Sequence, residues 1–207
     1  MTQIIALAGK AGYGKSTVAN MIKSLPNAQG AIVISFADPI REHLKVMFPV
    51  LTNEHFKDRK LKVTPIESLN WNTPRQLMIM FGQSMRNVNP DVWVNSMESR
   101  IKQLKTKHNP YKKTFEYIII DDLRMENELA MLRRLNSTVI HLERPETPQS
   151  NYAKIKSIFV KPNPTEIGIR HLKTDHDYVL NTSEHITVTQ QKIMGWNAQR
   201  FNPLFEL

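Results

Sequence analysis

The run IIALA followed at once by GKAGYGKST, residues 4–17, limits the possible folds more than any other stretch of the chain. Ile4 to Ala8 are apolar without interruption and read as a strand buried on both faces, as in a parallel sheet. Val18, Ala19, Ile22 and Leu25 recur on one face of the helix that follows. Between them stand Gly9, four residues, then Gly14, Lys15 and Ser16, the spacing of a phosphate-cradling loop between strand and helix. Glycines at 9, 12 and 14 let the backbone turn tightly and present N–H groups to phosphate oxygens, and the helix N-terminus adds a favourable dipole. Lys15 would reach the β- and γ-phosphates, with the Ser16 hydroxyl on Mg²⁺. A plain glycine-rich connector is the alternative, and the complete motif in its strand–helix context argues against it.

The remaining sequence continues the alternation. AIVISF (31–36) reads as a second strand, with Asp38-Pro39 as an N-cap and first-turn proline opening a helix to about Met47. Residues 49–72 are polar and irregular. Thr73-Pro74 opens another helix with Leu77, Met78, Met80 and Phe81 as its apolar residues, and Asn89-Pro90 repeats the device before Val92, Val94, Met97 and Ile101. YIIID (117–121) is a third strand, Glu126 to Leu135 a helix, STVIHLE (137–143) a fourth strand, and DYVL (177–180) a fifth before a last helix from about Ser183. Such alternation predicts an α/β fold: a parallel sheet with right-handed crossovers and ligands beyond the carboxyl ends of its strands. Residues 145–173 form a long proline-rich and basic connection of the kind that often serves as a lid.

At 207 residues the chain is expected to form one domain with an insertion or a moving part. It contains no cysteine, so disulfides, thiolate metal sites and a cysteine nucleophile are excluded. No apolar run approaches the roughly 20 residues needed to span a bilayer, and no basic-then-apolar leader precedes the first strand, so a cytoplasmic protein without a membrane partner is expected. The formal net charge is +9, with the densest basic clusters at 57–62 and 102–113. Neither cluster carries interleaved aromatics for base stacking, and no stable nucleic-acid partner is expected. A positive field also suits an enzyme that handles polyanionic nucleotides.

Three further constellations bear on chemistry. Asp121, Asp122 and Arg124 fall at the end of the third strand, where a carboxylate can help hold Mg²⁺ through water and an arginine can bind phosphate; a local ion pair is the alternative. Arg75, Gln76, Ile79, Gly82, Gln83 and Arg86 recur at three- and four-residue intervals along roughly one stripe of a helix. Gly82 costs that helix about 1 kcal/mol against alanine, so either a ligand or a packing neighbour needs the missing side chain. Trp93 could stack on a base or fill the core. The pair His171 and His176 is expected on the surface.

The succession of phosphate loop, SFADPIR, TPRQLMIMFGQSMR with DVWV, IIIDDLRMENE and a late DYVLN resembles the bacteriophage-type deoxynucleoside monophosphate kinases, a branch of the P-loop nucleotide kinases, over most of the chain. Asp122, Arg124, Asn127 and Glu128 fill one family pattern, and Arg75, Gly82 and Trp93 another. Ile79 and Gln83 stand where the family often has glutamine and threonine. The resemblance implies a three-layer P-loop kinase fold with a five-stranded parallel sheet, a helical acceptor-binding section at about 38–110 and a lid at about 145–173. It also implies transfer of the γ-phosphoryl of ATP to the 5′-phosphate of a deoxynucleotide, in the host cytoplasm if the gene is a phage's. ATP and Mg²⁺ would be held by the loop (Gly9, Ala11, Gly12, Tyr13, Gly14, Lys15, Ser16, Thr17), with Ser16 and Asp122 toward the metal. Lys15, Arg75, Asp122 and Arg124 would be catalytic. Asp38, Arg41, Arg75, Gln76, Gly82, Gln83, Arg86, Trp93, Arg124 and Glu128 would contact the acceptor. For Asp38 helix capping, and for Glu128 solvation of a first helical turn, are sufficient alternatives. Arg144 and Arg170 flank the lid, and either could close over the phosphates. A homodimer stays open, as do two rival activities: a P-loop kinase acting on another small molecule, and a DNA-stimulated P-loop ATPase.

Overall fold

The structure, a computed structural model, describes residues 2–26, 28, 30–106, 117–144 and 169–201. Twelve elements follow in chain order: β1 (Gln3–Ala8), α1 (Lys15–Lys23), β2 (Ile32–Ile34), α2 (Asp38–Met47), α3 (Asn53–Lys57), α4 (Pro74–Val88), α5 (Val92–Thr106), β3 (Tyr117–Leu123), α6 (Glu126–Arg134), β4 (Thr138–Glu143), β5 (Tyr178–Asn181) and α7 (Ile186–Phe201). Short 3₁₀ turns occupy Leu61–Val63, Glu67–Leu69 and Arg170–Leu172. Residues 145–168 of the expected lid, and the Arg170 side chain, lie outside the described residues. The chain divides into two compact units, residues 1–34 with 104–207, and residues 35–103.

The first unit is built on a five-stranded sheet in the order β2-β3-β1-β4-β5, every pairing parallel. Both faces of β1 are buried: Ile4 and Ala6 on one side, Ile5 and Leu7 on the other. Ile5, Leu7, Ile119, Ile140 and Leu142 pack with Val18, Ala19 and Ile22 of α1 and Ile193 of α7 in one cluster. This is the P-loop kinase fold. One irregularity matters later. Ala6 pairs with Ile120 but Ala8 with Leu123, so Asp121 and Asp122 together stand opposite Leu7 in a β-bulge.

The second unit is helical. Ile40 and Leu44 of α2, Leu51, Phe56 of α3, Leu69 and Trp93 form its buried cluster, with Leu77, Phe81 and Met85 of α4 packed against it. Thr73 caps α4 as expected: its hydroxyl accepts the Gln76 N–H at 3.1 Å while the Gln76 side-chain oxygen accepts the Thr73 N–H at 2.8 Å, a reciprocal capping box with Pro74 in the first turn.

Three boundaries differ from the sequence reading, each for a local reason. The second strand stops at Ile34, because the Ser35 N–H turns to the Asp38 carboxylate at 2.8 Å instead of a neighbouring strand. Asp38 is therefore the first residue of α2, with Ala37 as its cap, and its side chain closes the turn before the helix. Helix α5 begins at Val92, since Asn89 engages the Asp91 N–H at 2.9 Å in an Asx turn two residues short of the helix. The last helix begins at Ile186, because the Asn181 side chain accepts from the Ser183 N–H and hydroxyl at 2.9 and 2.7 Å.

Candidate active site

The glycine loop joins β1 to α1 in the first unit. Gly9 is pressed against β4: a Cβ there would meet the Leu142 carbonyl oxygen at 3.0 Å and Leu142 Cβ at 3.2 Å, so the tight passage requires glycine. Gly14 caps α1 in a left-handed conformation, and the helix starts at Lys15, which leaves the first-turn N–H groups without intrahelical acceptors. Such a terminus is a ready anion site. The Lys15 side chain folds back over the loop, its Nζ donating to the Gly9 carbonyl at 2.6 Å and the Lys10 carbonyl at 2.9 Å. Lys15 is only 9% exposed. Burial lowers its pKa to about 8, Arg124 adds to the lowering, and Asp122 and Asp121 oppose it. Four expected site residues, Lys15, Ser16, Asp122 and Arg124, are thus in one electrostatic neighbourhood with Asp121.

The sequence places Asp121 in the strand-end group but gives the metal role to Asp122. Its Oδ2 lies 3.4 Å from the Ser16 hydroxyl, so Asp121, rather than Asp122, is the carboxylate next to the serine. In a regular strand neighbouring side chains point to opposite faces, so two consecutive aspartates would not share one face of the strand end. The bulge opposite Leu7 removes that restriction. The only signal in the sequence was the doubled aspartate itself.

Behind this edge Glu128 of α6 is buried, 3% exposed, and accepts the N–H groups of Arg124 and Met125 at 2.9 and 3.0 Å. A buried carboxylate whose Oε2 is engaged by two backbone donors fixes the Arg124–Met125 backbone, which favours a structural role for Glu128 over the expected contact with sugar or base.

In the second unit two more expected contacts are reassigned. Trp93 is 5% exposed, and its indole N–H donates to the Gly82 carbonyl at 3.1 Å, so it fills the core rather than offering a face to a base. Gly82 is buried because Ile40 needs the space: an added Cβ would stand 3.1 Å from Ile40 Cδ1. Gln76 has its side-chain oxygen in the α4 capping box. Arg75 and Gln83 remain exposed on α4, Gln83 donating to Asn87 at 3.0 Å, while Arg86 is half-buried. Arg41 Nη1 meets Asp38 Oδ1 at 2.7 Å, and Arg41 Nε is shielded without an acceptor among the described residues. Arg144 is exposed, and His171 is exposed with Nε2 3.1 Å from Glu126 Oε1.

Residues 52–193 match the family described as deoxynucleotide monophosphate kinase, more than half of the chain. The chain belongs to the deoxynucleotide monophosphate kinase family. Membership makes it a phosphotransferase that binds a nucleotide. A curated protein of Acanthamoeba polyphaga mimivirus, provisionally named a deoxynucleotide monophosphate kinase, is 26% identical over 96% of this chain and 99% of its own length. Among solved structures, a sugar kinase from Janibacter sp. HTCC2649 is 15% identical over 95% of both chains, with a TM-score of 0.46. Thymidylate kinase from Ehrlichia chaffeensis is 11% identical over 95% of this chain and 98% of its own, with a TM-score of 0.41. Superpositions this loose distinguish no substrate.

Proposed function

We propose that this member of the deoxynucleotide monophosphate kinase family transfers the γ-phosphoryl of ATP to the 5′-phosphate of a deoxynucleoside monophosphate. An acceptor phosphate oxygen forms the new bond to the γ-phosphorus, the bond to the β,γ-bridging oxygen breaks, and ADP leaves. The observation that carries the reading is the meeting of Lys15, Ser16, Asp121, Asp122 and Arg124 at the loop that opens α1.

Phosphoryl transfer asks the protein mainly to align two polyanions and to stabilise spreading charge. The loop N–H groups and the α1 N-terminus bind the donor phosphates, and Lys15 exchanges its two carbonyl acceptors for phosphate oxygens. Arg124 neutralises the group in flight. Arg41, Arg75 and Arg86 are assigned to the acceptor phosphate, with Gln83 beside it. Asp38 orients Arg41 through their ion pair.

The residues present fit Mg²⁺. Ser16 and Asp121 supply hard oxygen donors within 3.4 Å of each other, Asp122 adds a second carboxylate nearby, and the described residues contain no cluster of three or more acidic or histidine ligands. That sparse set suits a cation that keeps several waters and takes its other ligands from substrate phosphates. When bound, the ion supplies charge neutralisation between the phosphates.

A panel of acceptors with ATP, read as ADP formation, tests the proposal. Turnover with one or more deoxynucleoside monophosphates is expected. Turnover with another metabolite and none with any deoxynucleotide overturns it.

A further inference from the structure

We propose that Thr182 is a positioning residue that locks the Tyr13–Gly14 peptide of the phosphate loop so that the Gly14 N–H is aimed at the donor nucleotide. This rests on the reading of the loop as the ATP site given above.

Thr182 follows β5 directly, 169 positions from the loop in sequence, and its hydroxyl lies 3.0 Å from the Tyr13 carbonyl oxygen and 3.3 Å from that of Glu143. A hydroxyl has one proton to donate. The Glu143 carbonyl already accepts the Thr182 N–H at 2.8 Å, and the Tyr13 oxygen is the nearer of the two, so the proton goes to Tyr13. The hydroxyl's position is itself fixed. Asn181, the last residue of β5, accepts from both the N–H and the hydroxyl of Ser183, which closes a turn around Thr182.

The peptide that Thr182 holds is one whose orientation Gly14 leaves open. In a trans peptide the C=O of residue 13 and the N–H of residue 14 point in opposite directions. Fixing the Tyr13 oxygen toward Thr182 therefore turns the Gly14 N–H away from it. Rotation of that peptide plane changes the Tyr13 ψ and the Gly14 φ together, and Gly14 sits at φ 84°. The flipped form would place it near roughly −100°, which glycine adopts about as readily, so Gly14 offers no preference between donor-in and oxygen-in arrangements. With the oxygen inward, a carbonyl would face phosphate oxygens. The neighbouring Gly12, at φ 85°, gives the loop no further stiffness. The external hydrogen bond supplies the choice.

The test uses the full chain with Thr182→Val, which keeps the shape and removes the donor, Thr182→Ala, and Thr182→Ser, which restores it. ATP affinity is measured calorimetrically with Mg²⁺ present, KM for a deoxynucleoside monophosphate is measured kinetically, and folding is followed by thermal melting. The valine and alanine variants are expected to bind ATP about fivefold to tenfold more weakly, the usual effect of one neutral hydrogen bond, with acceptor KM within about twofold of the parent. The serine variant is expected to bind ATP as the parent does. Should the valine variant fail to fold, the alanine–serine comparison carries the same expectation. Parent-like affinity in the valine or alanine variant, or a serine variant as weak as alanine, overturns the role of Thr182 while leaving the ATP site standing. A parent protein that binds no ATP overturns both.

Discussion

The Lys15 ammonium is satisfied by the Gly9 and Lys10 carbonyls within its own loop. Burial and Arg124 bring its pKa from 10.5 to about 8. The unfolded lysine keeps its proton up to about 10.5, so between those values the unfolded state binds more protons and folding stability rises with pH. Nucleotide binding has the opposite sign. ATP affinity should fall as pH rises above about 8, because the neutral amine no longer attracts phosphate, and titrations at pH 7 and pH 9 check this. Arg124→Ala removes a cation that depresses Lys15, so the edge of that fall should move to higher pH while turnover drops by about 10²-fold or more at an unchanged melting temperature. A variant that unfolds instead supports a merely local ion pair. Lys15→Ala should abolish transfer and leave the fold intact. At this scale the motif residues were legible because their spacing is tied to a turn geometry. The roles of Asp121, Glu128 and Trp93 were not, because a bulge, a pair of backbone donors and a glycine carbonyl eleven positions away decide them.

Elements whose ends carry their own caps were readable from sequence. Thr73 with Pro74 and Gln76 specifies the start of α4 within four residues of chain. Residues 49–72 were not readable, because α3 and its two 3₁₀ turns are too short to show an apolar period. The packing between α2 and α4 at Gly82 predicts that Gly82→Leu destabilises the protein by about 2–3 kcal/mol through overpacking against Ile40, seen as a lower denaturant midpoint at constant slope. A second prediction concerns the turn that leads into β5. His141 of β4 is buried with Nε2 3.4 Å from Asp177 Oδ2, and Arg133 of α6 reaches both Asp177 at 3.2 Å and the Leu172 carbonyl at 2.7 Å. Burial lowers the His141 pKa; Asp177 opposes this, and Lys173 and Arg133 reinforce it. For Asp177 burial acts upward, but the Thr174 N–H, His141 and Arg133 outweigh it and leave the carboxyl below its usual value. Both groups bind protons more readily when unfolded, so both remove stability on acidification: His141 as pH falls through the ordinary histidine range, Asp177 further down. Melting temperature should therefore fall as pH drops below about 6.5, and His141→Gln should flatten the upper part of that fall.

For the molecule as a whole, the fold class followed from strands separated by helical segments after one phosphate loop, and the parallel pairings agree with it. Strand order was not written in any single stretch. β1 has β3 on one edge and β4 on the other, partners that begin 114 and 135 positions after Gln3. A chain cut after Arg134 would keep β3 but leave the β4 edge of β1 unpaired and Gly9 without Leu142 against it. Such a truncation should be protease-sensitive and aggregate, as read by limited proteolysis and light scattering. The central position of β1 also has a consequence for synthesis. At about 5–20 residues per second, the ribosome needs on the order of 5–20 s to make the stretch from β1 to β3, and longer to reach β4. For that interval the most water-averse segment of the protein trails from the exit tunnel with no sheet to join, an early client for any chaperone stationed there.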